Sequence, residues 1–445
     1  MSQLPVITEA SKKMRTAQIE PIALTERCLE AIDRHEKSIR AWVVVASNTA
    51  RRDAERIAAD RSQGEEIRPM CGIPIGIKDI VDVAGLPTRA GYFCHNNQAA
   101  VADAPLVARL RRAGAILLGK TVTTQYACFD PSPTRNPWDP QLRHSPGGSS
   151  SGSAAAVAAG MCLAAIGTQT GGSLVRPASF CGVAAMKPTF GTVPMEGVVP
   201  VSRHLDQAGP IARTVEDLYP LLRIISDLPE EDLLEPTSPP RLGLVREFFL
   251  EQAEPRVREA TNAAMAMLSR AGAALDDVAL PPGFEQVHRM HRRIMAFEAA
   301  AFHRPQFLRE RIHYGPNLRS MLDEADGLSL GEYRESLAYQ QRFRRQVDTM
   351  LATVDALIMP ATDTTAPARL DTTGDSKFQA PWSLAGVPVV SFACGLADNH
   401  MPVALQVVGR KGEDYRVLGV ARWCERQVGF TDLPPLIAQE AARTQ

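Results

Sequence analysis

The sequence predicts an α/β fold: one large mixed, mostly parallel β-sheet flanked by helices on both faces, with a mostly helical insertion or cap over 228–350. Three observations predict it. Short, densely apolar runs such as Ala115-Ile-Leu-Leu-Gly119 read as buried strands. Stretches with apolar residues at helical spacing alternate with those runs. The 445 residues carry a single proline-marked break, at Pro229, Pro236, Pro239 and Pro240, so one continuous domain over 1–445 is expected.

Taken in order, residues from Thr8 to Arg34 place Ile19, Ile22, Ala23, Cys28, Leu29 and Ile32 at helical spacing, and a second helix is expected over Ala46 to Ser62. Gly72-Ile-Pro-Ile-Gly-Ile-Lys-Asp-Ile-Val-Asp-Val alternates β-branched residues with small or polar ones, a strand or strand pair with Lys78 near its middle. A helix over Leu106 to Ala113 leads into the strand 115–119. Ala154 to Ala159 forms a helix whose N-terminus faces the serine-rich loop before it, and Met161 to Gly167 forms the next strand. The 228–350 stretch has helical periodicity at Val257–Leu268 and Leu337–Leu351 and carries the strand Arg241-Leu-Gly-Leu-Val245. Sheet character returns at Ala356–Met359, Val387–Phe392 and Val403–Val408.

Composition excludes several classes of function. Lys plus Arg number 49 against 50 for Asp plus Glu, a net charge of −1, so no overall field attracts nucleic acid. The amino end lacks the apolar core of a secretory signal, and the small-apolar run Ala154 to Gly167 is too short to cross a bilayer. Eight cysteines without a Cys-x-x-Cys pair fit reduced thiols. A cytoplasmic protein without nucleic-acid or membrane partners is expected.

The chemistry concentrates between Gly147 and Arg176. Gly-Gly-Ser149-Ser-Ser-Gly-Ser precedes a packed segment, and Gly167-Thr-Gln-Thr-Gly-Gly-Ser173-Leu-Val-Arg176-Pro follows it. A serine nucleophile needs a base and backbone N–H groups free to hold an oxyanion, and glycine-rich backbone supplies the latter. Among the nine histidines, only His144 stands near these loops, and a loop role explains it more simply. Lysine is the other choice. With an ordinary pKa of about 10.4, only about 1 in 2,500 lysines is neutral at pH 7, so a lysine base must be buried. The apolar surroundings of Lys78 supply that condition.

Gly76-Ile-Lys78-Asp79, Pro146-Gly-Gly-Ser149-Ser-Ser-Gly, Gly171-Gly-Ser173 and Phe180-Cys-Gly-Val-Ala-Ala-Met-Lys-Pro188-Thr together resemble the landmarks of the amidase signature family. Gly209-Pro-Ile-Ala-Arg213-Thr and Pro402-Val-Ala-Leu-Gln406-Val-Val-Gly409 extend the resemblance over nearly the whole chain. The resemblance implies the amidase-signature fold. It also implies Ser173 as the acylated nucleophile, Ser149 as a bridging serine, usually held by a cis peptide, and Lys78 as general base. The family's oxyanion hole falls on the backbone N–H groups of Thr170, Gly171, Gly172 and Ser173.

Two positions depart from the common pattern. Gln169 stands where many members have Asp, and the arginine follows the nucleophile by three residues, as Arg176, with Val175 at the usual place. This version is similar to malonamidase-type members, in which that arginine meets a substrate carboxylate. Arg176 and Gln169 are therefore candidate substrate-binding residues, and a loop-bracing arginine is the alternative reading.

Other patterns weigh less. Gly148-Ser-Ser150-Ser-Gly152 fits Gly-x-Ser-x-Gly, but loop sequence rather than a strand precedes it. No Gly-Lys-Ser/Thr follows to make the glycines a phosphate loop. His288-Arg-Met-His291 has helical i, i+3 spacing but no third ligand nearby, so a solvated or capping-helix face is expected and no metal or cofactor.

The expected function is hydrolysis of a C–N acyl bond through a Ser-cisSer-Lys triad and a covalent acyl-enzyme, releasing an amine or ammonia. The substrate is a small-molecule amide, aryl amide or carbamate (urethane). Arg176 favours a carboxylated one, while Cys128, Phe129 and Met195 would suit an aryl group. A homodimer is left open as the assembly. The alternative is an amidotransferase-like glutaminase working in a transamidation complex; retention of Lys78, Ser149 and Ser173 argues against a non-catalytic descendant.

Overall fold

Short apolar runs must pair their backbone N–H and C=O groups when they leave water, and here they pair in one sheet. The computed structural model describes residues 4–63, 68–92, 97–233 and 235–438. Its strands are β1 (Trp42–Val45), β2 (Pro74–Lys78), β3 (Ile116–Thr121), β4 (Ala164–Gln169), β5 (Ala184–Lys187), β6 (Gln207–Ala212), β7 (Arg241–Leu244), β8 (Ala274–Asp277), β9 (Ala356–Pro360), β10 (Val389–Leu396) and β11 (Pro402–Val408). They form an 11-stranded sheet in the order β1-β3-β2-β4-β6-β5-β10-β11-β9-β7-β8. β2, β3, β4, β5, β6, β9 and β11 are buried at every residue, so helices cover both faces of the sheet's middle.

The sheet is mixed, as expected, but not mostly parallel. β2 pairs in parallel with β3 and β4, and β7 with β8 and β9; the other six neighbouring pairs are antiparallel. The strand and helix alternation read from the sequence therefore sets two parallel blocks and fails between them. There β10 returns as β11 across a short turn at 397–401, and no helix separates β5 from β6. Strands β1, β5, β6 and β8 go beyond the sequence expectation.

Several helices differ from expectation at their ends. The stretch from Thr8 divides into Ile7–Arg15 and Pro21–Ile39, because Pro21 opens a new helix where its missing N–H costs nothing. Ser47–Ser62, Pro105–Arg112 and Ser151–Ala158 agree closely with the sequence reading. In Ser151–Ala158, a Cβ on Gly152 would stand 2.2 Å from the Ala41 carbonyl oxygen, so only glycine lets this helix settle against its neighbours.

Lys78 ends β2 rather than sitting near the middle of a longer strand. Past it the chain turns, with Ile80 and Val81 N–H both donating to the Lys78 carbonyl. The 228–350 stretch has two characters. Its first part supplies β7, the helix Pro255–Arg270 and β8 to the main sheet; its second is helical, with Val287–Glu310 packed on Pro316–Asp326 and Leu330–Leu351. Cys94 lies outside the described residues; the other cysteines are buried and free. Among the described residues no helix is long and apolar enough to cross a membrane.

Candidate active site

Parallel strands end at the same edge of a sheet, and that edge is where α/β folds place ligands. β2 ends at Lys78, and β4, parallel to it, ends at Gln169 and runs straight into Thr170-Gly-Gly-Ser173. The serine-rich loop lies beside this turn: Ser150 N–H donates to the Ser173 carbonyl at 3.1 Å, one residue before the helix Ser151–Ala158. The Gly148–Ser149 peptide is cis. Motifs 71 and 95 residues apart from Lys78 along the chain thus meet at one edge of the sheet.

Lys78 is wholly buried, and its Nζ donates to Ser149 Oγ and to Thr168 Oγ1, each at 2.8 Å. Burial disfavours the ammonium and brings its pKa down to about 7, with the field of Asp206 resisting the shift. Two other buried lysines differ in their partners. Lys120 pairs with Asp79 at 3.0 Å and donates to the Pro87 carbonyl and Thr88 Oγ1, and Lys187 donates to the Pro188 and Val387 carbonyls and to Gln207 Oε1. Carboxylates and carbonyls have no proton to give. Among the described residues Lys78 has only hydroxyls as hydrogen-bond partners, and a hydroxyl does.

Ser149 is buried, whereas Ser173 is partly open and borders a cavity of about 430 Å³. Among the described residues no acceptor takes the N–H groups of Gly171, Gly172 or Ser173. The opposite sides of these peptides are bonded: His291 Nε2 lies 3.0 Å from the Thr170 carbonyl, Ser383 Oγ donates to the Gly171 carbonyl at 2.8 Å, and Arg176 N–H donates to the Gly172 carbonyl at 3.0 Å. Thr170 Oγ1 donates to Asp206, a carboxyl that burial raises to about 6.

The cavity wall is mixed. Cys128 and Phe129 border it as expected; Met195 instead packs against the core, and Met295 takes the place in the wall. Phe248 adds a further apolar surface, while Arg292, Asp375 and Lys377 bring charge. The two histidines of His288-Arg-Met-His291 also line the cavity, and His291 is buried, so the face expected to be solvated or part of a capping helix points inward. Among the described residues no cluster suited to a metal ion exists.

The two candidate substrate-binding residues behave differently. Gln169 does not reach the cavity. Its Oε1 accepts from Leu174 and Val175 N–H, and its Nε2 donates to Ser383 Oγ. A carboxamide holds the first N–H groups of the helix Val175–Phe180 and donates onward as well, which the aspartate of the common pattern could not do. Arg176 borders the cavity but is buried, and its Nη2 donates to the Gly148 carbonyl at 2.8 Å and to Thr373 Oγ1 at 3.3 Å.

His144 bonds to Asp139 at 2.7 Å, as a loop histidine does. Ser150 Oγ is tied to the Thr168 backbone, which removes it as a nucleophile. Sequence reasoning missed Thr168, Asp206 and Ser383, and it noted His291 only as part of a weak metal-spacing pattern. Thr168 stands inside the glycine-rich motif and could have been flagged; the others lie far along the chain with no local signal of these contacts.

The chain is similar to known proteins over nearly its whole length. The family model named Amidase matches residues 23–418. A glutamyl-tRNA(Gln) amidotransferase subunit from Chloroflexus aurantiacus is 33% identical over 97% of this chain and 98% of its own length. Among solved structures, an amidase superposes with a TM-score of 0.88 at 32% identity, covering 95% of this chain and all of that one. The peptide amidase of Stenotrophomonas maltophilia superposes with a TM-score of 0.85 at 28% identity, over 97% of this chain and 98% of its own.

Proposed function

The chain belongs to the amidase family, and from that premise we propose that it is an amidohydrolase in which Ser173 attacks, Ser149 relays and Lys78 is the base. The observation that carries the reading is Lys78 Nζ at 2.8 Å from Ser149 Oγ, wholly buried and with its pKa near 7. A lysine so placed is neutral in a large fraction of molecules near neutral pH, the condition for general-base work.

As a neutral amine, Lys78 keeps an N–H on Thr168 Oγ1 and turns its lone pair to the Ser149 hydroxyl. Ser173 Oγ attacks the acyl carbon, its proton passes to Ser149 Oγ, and the Ser149 proton passes to Lys78 Nζ. The carbonyl π pair moves to oxygen, held by the N–H groups of Thr170, Gly171, Gly172 and Ser173. When the C–N bond breaks, the relay runs backward and delivers the proton to the leaving nitrogen. Water then attacks the acyl-enzyme by the same route and frees the acid and Ser173.

The mixed wall of Phe129, Phe248, Met295, Arg292 and Asp375 suits a small amide with an aryl or other apolar group, and carbamates share the same chemistry. A second reading is favoured by the amidotransferase relatives: a glutaminase working with partner proteins. The test is to assay the purified chain alone against malonamate, a p-nitroanilide, an aryl carbamate and glutamine. Turnover of a small amide without partners supports the hydrolase; ammonia release only from glutamine, and only with partners, supports the second reading. Full activity in Ser173→Ala sinks both.

A further inference from the structure

Resting on the reading of Ser173 as nucleophile, we propose that His291 and Ser383 are positioning residues that aim the oxyanion-binding N–H groups. In a trans peptide the C=O and N–H of one unit point in opposite directions, so holding the carbonyl fixes where the N–H points. The peptides 170–171, 171–172 and 172–173 are all trans. Each has its carbonyl bonded on the side away from the open N–H: Thr170 O to His291 Nε2, Gly171 O to Ser383 Oγ, and Gly172 O to Arg176 N–H.

These struts come from elements remote in sequence. His291 belongs to the helix Val287–Glu310 and Ser383 to the helix Ala380–Ala385, 121 and 212 residues from their acceptors. Glycine backbone between them would otherwise be the softest part of the site. Ser383 is itself held, accepting from Gln169 Nε2, whose Oε1 holds the first N–H groups of the helix that follows Ser173. A continuous path of bonds therefore runs from the start of that helix to Gln169, to Ser383, to the Gly171 carbonyl. Burial also keeps the His291 imidazole neutral near pH 7, with Nε2–H as the donor tautomer that a carbonyl partner requires.

The strut also joins substrate wall to reaction centre. The helix that carries His291 lines the cavity with His288, Arg292 and Met295, so one rigid element sets both the pocket shape and the Thr170–Gly171 peptide. Ser383 lies outside the cavity wall, which separates the two roles experimentally.

The experiment measures the rate of Ser173 labelling by a fluorophosphonate, whose phosphoryl oxygen becomes an oxyanion as Ser173 attacks, together with kcat and KM on the best amide found. Variants are His291→Ala, His291→Gln and Ser383→Ala, each checked for an unchanged thermal midpoint. Losing one oxyanion donor outright costs about 10²–10³ in kcat, so a donor left misaimed is expected to cost about 10-fold or more. Expected is a fall of at least about 10-fold in labelling and kcat for His291→Ala and Ser383→Ala, with KM of Ser383→Ala unchanged. His291→Gln, which restores an N–H near the same place, recovers most of the loss. Labelling within about 2-fold of wild type in either folded alanine variant, or a loss confined to KM, overturns the proposal. If His291→Ala fails to fold, Ser383→Ala and His291→Gln decide it. A wild-type protein that never labels at Ser173 overturns the nucleophile assignment itself and this inference with it.

Discussion

Lys78 Nζ stands 2.8 Å from Ser149 Oγ inside a site where its other hydrogen-bond partner is also a hydroxyl, Thr168. A buried ammonium without a carboxylate in hydrogen-bond reach is poorly compensated, and that is why its pKa falls to about 7. The same desolvation that weakens the fold makes the amine a base.

Activity should follow that titration. Lys78 serves as base only when deprotonated, so kcat/KM for a neutral amide is expected to rise with pH through about 7 and then level off. Asp206, raised to about 6 and close enough to influence Lys78, broadens the rise on its acid side. Lys78→Ala should lose most activity and this limb with it. A profile flat from pH 5.5 to 9 would remove Lys78 from the role.

Stability should rise with pH as activity does, but over a higher window. The folded pKa of Lys78 lies below its unfolded value, so the unfolded chain binds more protons between about 7 and 10.4, and stability gains with pH across that window. Below about 7 the destabilisation is present in full, on the order of a few kcal/mol. Lys78→Met, which fills the same space without charge, is expected to raise the thermal midpoint at pH 7 by more than at pH 9.5 while abolishing turnover. Differential scanning calorimetry at the two pH values checks the sign.

Such residues were legible where chemistry and local sequence coincide. Lys78 announces itself as a charge in an apolar strand, and Ser149 and Ser173 sit on glycine-rich loops, so each carried a local mark. Thr168 was within reach. His291 and Ser383 were not, because their function is a contact made 121 and 212 residues away with backbone atoms that have no sequence identity. The sheet shows the same limit: apolar runs identify buried strands, but direction depends on connections, and the antiparallel middle rests on β10 and β11 turning back on each other. Met195 and Met295 make the point in one pair. Both are apolar, and only the fold decides which one meets the cavity.

The glycines of the site separate packing from chemistry. A Cβ on Gly172 would lie 2.4 Å from Gln379 Oε1, and Gln379 is buried with its Nε2 held by the Ala361 carbonyl, so it cannot swing aside. Gly172→Ala is therefore expected to shift the oxyanion loop and cost at least about 10²-fold in kcat. Gly152→Ala meets the Ala41 carbonyl at 2.2 Å and should cost stability first, about 1–3 kcal/mol or more, lowering the thermal midpoint. Kinetics and thermal melts on both variants test the distinction.

Arg176 offers the sharpest choice between two roles. Its guanidinium is buried and gives one donor to the carbonyl of Gly148, the residue whose peptide bond to Ser149 is cis. Burial lowers its pKa only to about 10, so it stays charged at neutral pH, with Asp375 and Asp363 adding to the field that keeps it so. An arginine that braces this loop must matter equally to every substrate, because the Ser149 relay is used in each turnover. One that reads a substrate carboxylate must matter only to substrates that carry one. The bonds to Gly148 and Thr373 favour bracing. Arg176→Ala is expected to lower kcat on malonamate and on an uncharged anilide by similar factors, about 10-fold or more, and Arg176→Lys should recover little, since an ammonium lacks the planar fork. A loss confined to malonamate and expressed in KM would assign Arg176 to the substrate instead.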